Sequence, residues 1–568
     1  MSNLSVIDFF CGAGGFSEGF KQMGFKIIEG YDHWKPAIDT YNHNFKTESK
    51  IKNILEFLDS IEDIENLENT DIIIGSPPCV SFSSSNKSGK SDKSLGLELI
   101  QSFLRIVAVK KHQKNSVLKG WFMENVVNSK KYLKDIYTFE DLNLVNWAKQ
   151  NKINPKSEAL NLLDNTVIIN SADYGSFQAR KRAVSGEIIL ENKFITPQVT
   201  HCETSSTKLK KWNTLGKLLS KMPPPNKEES EEIIKDPVYP QIEIKLNNLT
   251  DHFYDSGLYR SEWRQSKEHK VNHYCMGKMS FPENLNRPSR TITATKSGTS
   301  REALVYKSEF NRTGNGEYRS PTVREAASIM GFPFTYQFLG SINSKWRLVG
   351  NAVCPSVSRA LASEVLLQLK IKHSKILKLN KNLNIENVIN ISDFKEKSFE
   401  KQPIRNKNSR FRRHPLKAGN LTVTLSNYDI QNNTKTEPKW FTSVQYGTGV
   451  GFKNQKIEDG FFKSIEPIIR KEKTGSEFIK IINNGFSEKI TNASKMQEMY
   501  EKQESTEKHK EPTELVNEIA IILNNIKIKN KTIKQGQFKV FQHKDEIPIK
   551  QFFALYAINK IASIANQK

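Results

Sequence analysis

Cysteine is scarce in this chain and scattered: Cys11, Cys79, Cys202, Cys275 and Cys354 form no CxxC pair. Their odd number argues against a disulfide framework and their spacing against a zinc site, so no metal is expected. Long apolar runs are also missing. No stretch approaches the roughly 18 consecutive apolar residues of a membrane span, and the opening MSNLSVIDFF has no basic residues ahead of an apolar run, as a signal peptide would. The expected setting is therefore a reducing cytoplasm, without a membrane. Acidic excess is absent too, with 62 Asp and Glu facing 85 Lys and Arg, a net charge of +23. A basic balance favours a polyanionic partner through phosphate contact and counterion release, although Lys-, Asn- and Ile-rich usage also follows genome composition. Disorder is excluded for the bulk of the chain, because 37% of residues are apolar, enough for a large core. At about 150 residues per domain, the 568 residues suggest three or four units.

Strand-length apolar runs alternate with amphipathic helical segments through the first third. VIDFF, FKIIEGYD, DIIIGSPP, WFMENV and TVIIN read as strands, with helices from about Phe16, around Ala37 and from Leu99 to Val109. This rhythm predicts an α/β fold, a doubly wound and mostly parallel sheet with ligands at the carboxyl ends of its strands. The predicted catalytic and cofactor-binding domain is 1–186. From 187 to 320 the rhythm fails and a polar, basic and aromatic region follows. Helical periodicity returns over 321–370, where the last helices are expected to pack back on the first domain. Residues 371–568 carry 36 basic and 21 acidic residues, a net +15. Their apolar pattern predicts an additional α/β or α+β domain. The basic stretch 401–417 within it reads equally as a linker or as a phosphate-contacting arm.

The turn after the first strand, DFFCGAGGFSEGF, places Gly12, Gly14 and Gly15 between strand and helix, where missing side chains let a nucleotide-type ligand approach the backbone. A purely structural turn is the alternative. Asp32 ends the second strand, at the place where an acidic side chain takes ribose hydroxyls. Cys79, in GSPPCVSFS, follows a buried strand in a loop held by two prolines; it is either a presented thiol or an inert packing residue. Glu124 and Asn125 end another strand and so arrive at the same sheet edge. In DYGSFQARKR, Gln178, Arg180 and Arg182 alternate along an extended segment, where they suit a base edge or a phosphate.

DFFCGAGGFS, PPCVSFS, ENV, QARKR, RPSRTITAT and GNAVCPSVSRAL stand in the order found in DNA (cytosine-5) methyltransferases, which this chain resembles from residue 4 to about 370. The resemblance implies S-adenosylmethionine as cofactor. Phe10, Gly12, Gly14, Gly15 and Pro78 would border it, Asp32 would take the ribose hydroxyls, and His33 would lie near the adenine. Where the family commonly has an acid, this chain has Asn53, which can still accept a hydrogen bond from the adenine amine. Asn351 and Ala352 would line the methionine end. Cys79 would be the nucleophile, assisted by Glu124, Arg180 and Arg182. Cys11 and Cys354 read as packing residues.

The resemblance also implies double-stranded DNA as partner and a target-recognition role for 187–320. Trp212, Arg260, Trp263 and Arg264 are its candidates for DNA contact, beside Gln178 and Ser83 near the catalytic motifs; Lys270 also suits a phosphate. In the tail, Arg405, Arg412 and Arg413 are the candidates. The expected protein is a monomeric modification enzyme of a restriction-modification system, whose cognate endonuclease would share its site without stable binding. An RNA methyltransferase on the same core and an inactive DNA-binding homologue are the alternatives.

Overall fold

The computed structural model describes residues 4–78, 94–204, 208–227, 230–272, 278–372, 376–383, 396–399, 412–433, 438–446, 454–484, 489–502, 509–526, 532–534 and 546–568. Two compact units divide the chain, residues 1–399 and 400–568.

In the first unit, strands β1 (Ser5–Phe9), β2 (Lys26–Tyr31), β3 (Ile72–Gly75) and β4 (Gly120–Val126) pair in parallel. A hairpin of β5 (Ile136–Thr138) and β6 (Glu158–Asn161) follows, then β7 (Thr166–Asn170) and β8 (Lys181–Ile188). The six-stranded sheet runs β2-β1-β3-β4-β8-β7, with β8 inserted antiparallel between β4 and β7. The central parallel strands are mostly apolar because both faces are covered, with Asp8 in β1 and Glu124 and Asn125 at the end of β4 as the buried polar exceptions. Ile72, Ile74 and Phe122 enter one core and Ile73, Trp121 and Met123 the other.

Alternating with these strands are α1 (Gly15–Gln22), α2 (Lys35–Phe45), the short α3 (Glu56–Asp59) and α4 (Ile61–Glu65), α5 (Ser94–His112) and α6 (Val145–Gln150). Later come α7 (Leu215–Leu219), α8 (Arg260–Val271), α9 (Val323–Met330), α10 (Ile342–Asn351) and α11 (Pro355–Gln368). Phe103, Leu104 and Val107 of α5 fill one core; α1, α9, α10 and α11 supply the other. Local signals explain the boundaries of these last helices. Thr322 and Glu325 form a reciprocal cap at the start of α9, Gly331 ends it in the left-handed region, and Pro355 opens α11.

Helix α11 packs onto α1. Ser358 Oγ donates to the Phe16 carbonyl, and a Cβ added at Gly19 would come within 2.6 Å of the Pro355 carbonyl oxygen. The chain past 370 stays with this unit as well. Lys378 N donates to Gln22 O at 2.8 Å, and Lys397 N to Asp255 Oδ2 at 2.9 Å.

The second unit has its own core around an antiparallel sheet of Arg413–Ala418, Leu421–Ser426, Phe441–Tyr446 and Gln455–Ile457. Its C-terminal helix, Ile549–Ala565, is apolar on every side and correspondingly buried along nearly its whole length. This is an α+β arrangement. Residues 413–417, read from sequence as linker or arm, lie in the first strand of that sheet.

Because a methyl group at Gly19 meets the backbone of Pro355 and Arg359 as well as the Ser358 hydroxyl, Gly19→Ala should destabilise the first unit by about 1–3 kcal/mol. Urea unfolding followed by tryptophan fluorescence measures the loss.

Candidate active site

Parallel pairing brings the carboxyl ends of β1 to β4 to one edge, which collects the turns that follow them. After β1, Phe10 takes φ 56° and is buried. Gly12 N donates to Asp32 Oδ2 at 3.1 Å and Trp34 N to Asp32 Oδ1 at 2.9 Å. Burial pushes the Asp32 carboxyl up while these backbone donors, with the neighbouring His33, pull it down. His33 is exposed, its Nδ1 3.5 Å from Asp32 Oδ1. Lys52 N donates to Asp32 O at 3.0 Å, which sets the segment carrying the exposed Asn53 beside Asp32; Asn53 Oδ1 accepts from Leu55 N.

The three glycines differ in what they leave open. A Cβ at Gly12 would meet nothing closer than 3.9 Å, so the backbone there is accessible to a ligand. At Gly14 (φ 80°) it would strike the Phe45 ring and come within 2.7 Å of Tyr336 Oη; at Gly15 it would press on Phe332 and Ala352 at 3.1 and 3.2 Å. Packing alone thus accounts for the missing side chains at Gly14 and Gly15. It also joins this turn to Ala352, which is buried, next to the exposed Asn351. An open backbone at Gly12 with Asp32, His33 and Asn53 alongside suits a ligand bearing a ribose and an adenine.

On the next strands, Glu124 and Arg182 form an ion pair, Nε to Oε1 3.0 Å. The register explains it: Arg182 pairs with Val126, so it shares a face with Glu124 two residues earlier. Asn125 Nδ2 donates to Pro77 O at 3.2 Å, and Ser76 Oγ to Phe10 O at 3.1 Å. The loop after β3 is thereby anchored as far as the half-buried Pro78. Cys79 and Ser83 lie outside the described residues. Arg180, grouped with Arg182 by its spacing, points its two Nη groups at the carbonyls of Ile292 (3.1 Å) and Gly350 (3.2 Å). Through these bonds it holds segments together. Cys11 and Cys354 are buried, and burial pushes both thiols up, as befits packing residues.

Several expected DNA contacts need correction. Gln178 is fully buried with its Nε2 3.0 Å from Met330 Sδ, and so presents no surface to a duplex. Trp263 is buried against Leu258 and Val305, its Nε1 donating to Gly314 O. Lys270, on the inner side of α8, pairs with buried Glu283 at 3.0 Å. Arg260 and Arg264 on that helix are exposed. Trp212 is half-buried, with Nε1 on Asp173 Oδ1 at 2.9 Å. In the second unit, Arg413 is exposed on its strand, whereas Arg412 lies over the Tyr500 ring at 4.2 Å; Arg405 is outside the described residues.

With this geometry in place, residues 4–367 match the family model for C-5 cytosine-specific DNA methylases. The chain belongs to that family. It is an enzyme of the DNA methyltransferase class, and S-adenosylmethionine dependence is a property of that class. Among curated relatives, the methylase is 27% identical over 371 residues to the type II methyltransferase M1.HphI of Haemophilus parahaemolyticus, covering 64% of this chain and 87% of the relative. It is 26% identical over 442 residues to M.DdeI of Desulfomicrobium norvegicum, covering 68% and 97%. Among solved structures, a DNA modification methyltransferase encoded within an E. coli prophage aligns over 65% of this chain and all of its own, with 19% identity and a TM-score of 0.42. Among the described residues, no helix is long and apolar enough to cross a membrane.

Two supporting residues escaped the sequence reading of the methylase. Tyr336 donates its hydroxyl to the Ala13 carbonyl and so clamps the glycine turn from a segment more than 300 residues away; only its aromatic type was visible. Asp8, beneath the same turn, accepts from Ser17 Oγ at 2.7 Å, and Ser17 lies 2.7 Å from Tyr41 Oη. Burial pushes the Asp8 carboxyl up to about 8. A carboxyl raised in the folded state favours folding while it is protonated, so its contribution is full below the unfolded value of 3.8 and falls as pH rises towards 8. Asp8→Asn should therefore flatten the decline of unfolding free energy between about pH 5 and 8, a comparison made by urea titration at several pH values.

Proposed function

We propose that the protein transfers a methyl group from S-adenosylmethionine to C5 of a cytosine flipped out of duplex DNA, as the modification enzyme of a restriction-modification system. The observation that carries this reading is the Glu124–Arg182 pair at the sheet edge where the anchored Ser76–Pro78 loop leads into Cys79. The names of the curated relatives, type II methyltransferases, support the biological setting.

C5 of cytosine is a poor nucleophile until a thiolate adds at C6, forming a carbon–sulfur bond and moving electron density through the ring towards N3 and O2. Cys79 is the proposed source of that thiolate. Glu124 would hold N3 and supply a proton there, while Arg182 would hold O2, each countering negative charge where it develops. Their mutual pairing keeps both side chains turned to the same side before substrate arrives. S-adenosylmethionine, when bound beside Gly12, Asp32, His33 and Asn53, supplies the methyl group that C5 takes. Loss of the C5 proton to a base and departure of the Cys79 thiolate then restore the aromatic ring. The flip itself costs a few kcal/mol of stacking and pairing, met by contacts to the DNA. Residues 187–320 are the proposed target-recognition region, with exposed Arg260 and Arg264 of α8 as contacts.

A duplex carrying 5-fluorocytosine should trap the protein covalently in the presence of cofactor, because fluorine cannot leave as a proton. Denaturing gels detect the shifted band, and its absence with active protein would count against the covalent route. Cys79→Ser should abolish turnover while retaining cofactor binding. Glu124→Gln should lower turnover on the order of 100-fold with little change in cofactor affinity, as expected for a proton donor. Bisulfite sequencing of methylated genomic DNA reads activity and sequence context together; methylation of RNA but not DNA would overturn the substrate.

A further inference from the structure

Past the end of the family match, residues 396–399 of the first unit lie against the approach to α8. Lys397 N donates to Asp255 Oδ2 at 2.9 Å. Its Nζ donates to the Gly257 carbonyl at 2.9 Å and lies 4.4 Å from the Tyr259 ring centroid. Arg312 Nη1 reaches the same Asp255 oxygen at 2.8 Å, and its Nη2 pairs with Glu396. Asp255 Oδ1 accepts from Gly257 N at 2.8 Å, so both oxygens of this buried carboxylate are used. Phe399 meets Tyr259 edge to face, with ring centroids 5.2 Å apart. Its ring fills a slot between two glycines: a Cβ at Gly257 would come within 2.8 Å of it, and one at Gly316 within 2.7 Å.

The segments gathered here carry α8. Tyr259 caps the helix, its N donating to Glu262 Oε2 at 2.9 Å. Arg260 N donates to Asn315 Oδ1 and Trp263 Nε1 to Gly314 O, both at 2.8 Å, so the 310–316 turn holds the start of the same helix. Residues 396–399 are bonded to both supports. Upstream, Thr335 Oγ1 donates to Asn380 O at 2.7 Å and Lys378 N to Gln22 O, which fastens the chain after α11 to the catalytic half as well. We propose that Lys397 and Phe399 are positioning residues for DNA binding, locking the two supports of α8 and so setting where the exposed Arg260 and Arg264 stand. This rests on the reading of 187–320 as the target-recognition region. The brace acts through α8 without touching DNA, and it lies outside the matched residues 4–367.

The test uses the full chain and a duplex containing the methylation site. Phe399→Ala empties the slot; Lys397→Met removes the ammonium and keeps an apolar stem. A helix with loosened supports holds its binding orientation only part of the time. Each variant should therefore raise the DNA KM by about tenfold, with kcat within about twofold of wild type and cofactor affinity unchanged. Phe399→Leu, which refills the slot, should recover most of the loss. An unchanged DNA KM in both variants overturns the proposal. A fall in kcat and cofactor affinity alongside KM also overturns it, since that marks a general loss of structure. Salt dependence separates bracing from contact. The plot of log Kd against log salt should keep its wild-type slope in Lys397→Met; a slope shallower by about 0.9, the share of one phosphate, would make Lys397 a DNA ligand and overturn the bracing role. Hydrogen exchange without DNA reads the supports directly. The amides of Leu258 and Gly316, bonded to the carbonyls of Tyr318 and Leu258, should exchange faster in Phe399→Ala, and wild-type protection there counts against the brace. Wild type that methylates no DNA removes the functional reading itself, whereas normal wild-type methylation beside unaltered KM values removes only the brace.

Discussion

The buried guanidinium of Arg180 ties distant parts of the first unit together. Arg180 is almost fully buried, and its Nη groups are occupied by carbonyls 112 and 170 residues further along the chain. Burying that charge is costly unless hydrogen bonds offset it, and its Nη donors draw the 180s, the 290s strap and the end of α10 together. Around this point the rest of the site falls into place. Ser289 N donates to Phe177 O, and Ala179 N to Ser289 O, so the strap runs beside the QARKR segment as an added length of parallel backbone. Gly350 fits against Thr293 and Ala294 with no room for a side chain.

The same economy of contact shapes the opposite side of the site. The glycine turn is gripped from below by Ser17 and Asp8 and from the side by Tyr336 and Ala352, leaving Gly12 as its open position. Binding groups set on strand ends and braced by rigid helices lose little entropy when a ligand arrives. Glu124 and Arg182 gain in the same way, since the β4–β8 ladder aligns them before substrate is present. The chemistry proposed for this edge thus depends on strands brought together from residues 5 to 188, and on closure by helices beyond 320.

The second unit contributes differently. The family match ends at 367, and this unit begins at 400 with a sheet and helices that bury a core of their own. Much of the chain's positive charge lies past 370, yet Arg412 is taken up by Tyr500 and by Glu511 at 3.8 Å. Arg413 and Lys417 alternate with buried His414, Leu416 and Ala418, the pattern of a half-exposed strand. A basic run in a sequence is therefore not the same thing as a basic arm.

Local periodicity and turn chemistry determined a good deal unaided. The parallel strands, the helices at 15, 35, 94, 323 and 355, and the arrival of Gly12, Asp32 and Glu124 at one edge follow from alternation of strand and helix within some 20 to 40 residues. The antiparallel insertion of β8 did not follow, because its pairing partner is chosen by sheet assembly and not by its own pattern. Nor did the fates of Gln178, Arg180 and Arg182, which share one extended segment with identical spacing. Arg182 meets Glu124, Arg180 is closed over by carbonyls from 292 and 350, and Gln178 is sealed beneath Met330. Trp263 and Lys270 were hidden in the same manner by segments from 281 to 318. Residue type and spacing decide what a side chain is able to do. Which of them remains free to do it is decided by packing against segments elsewhere in the chain, from 13 to 170 residues away, information that no local window contains.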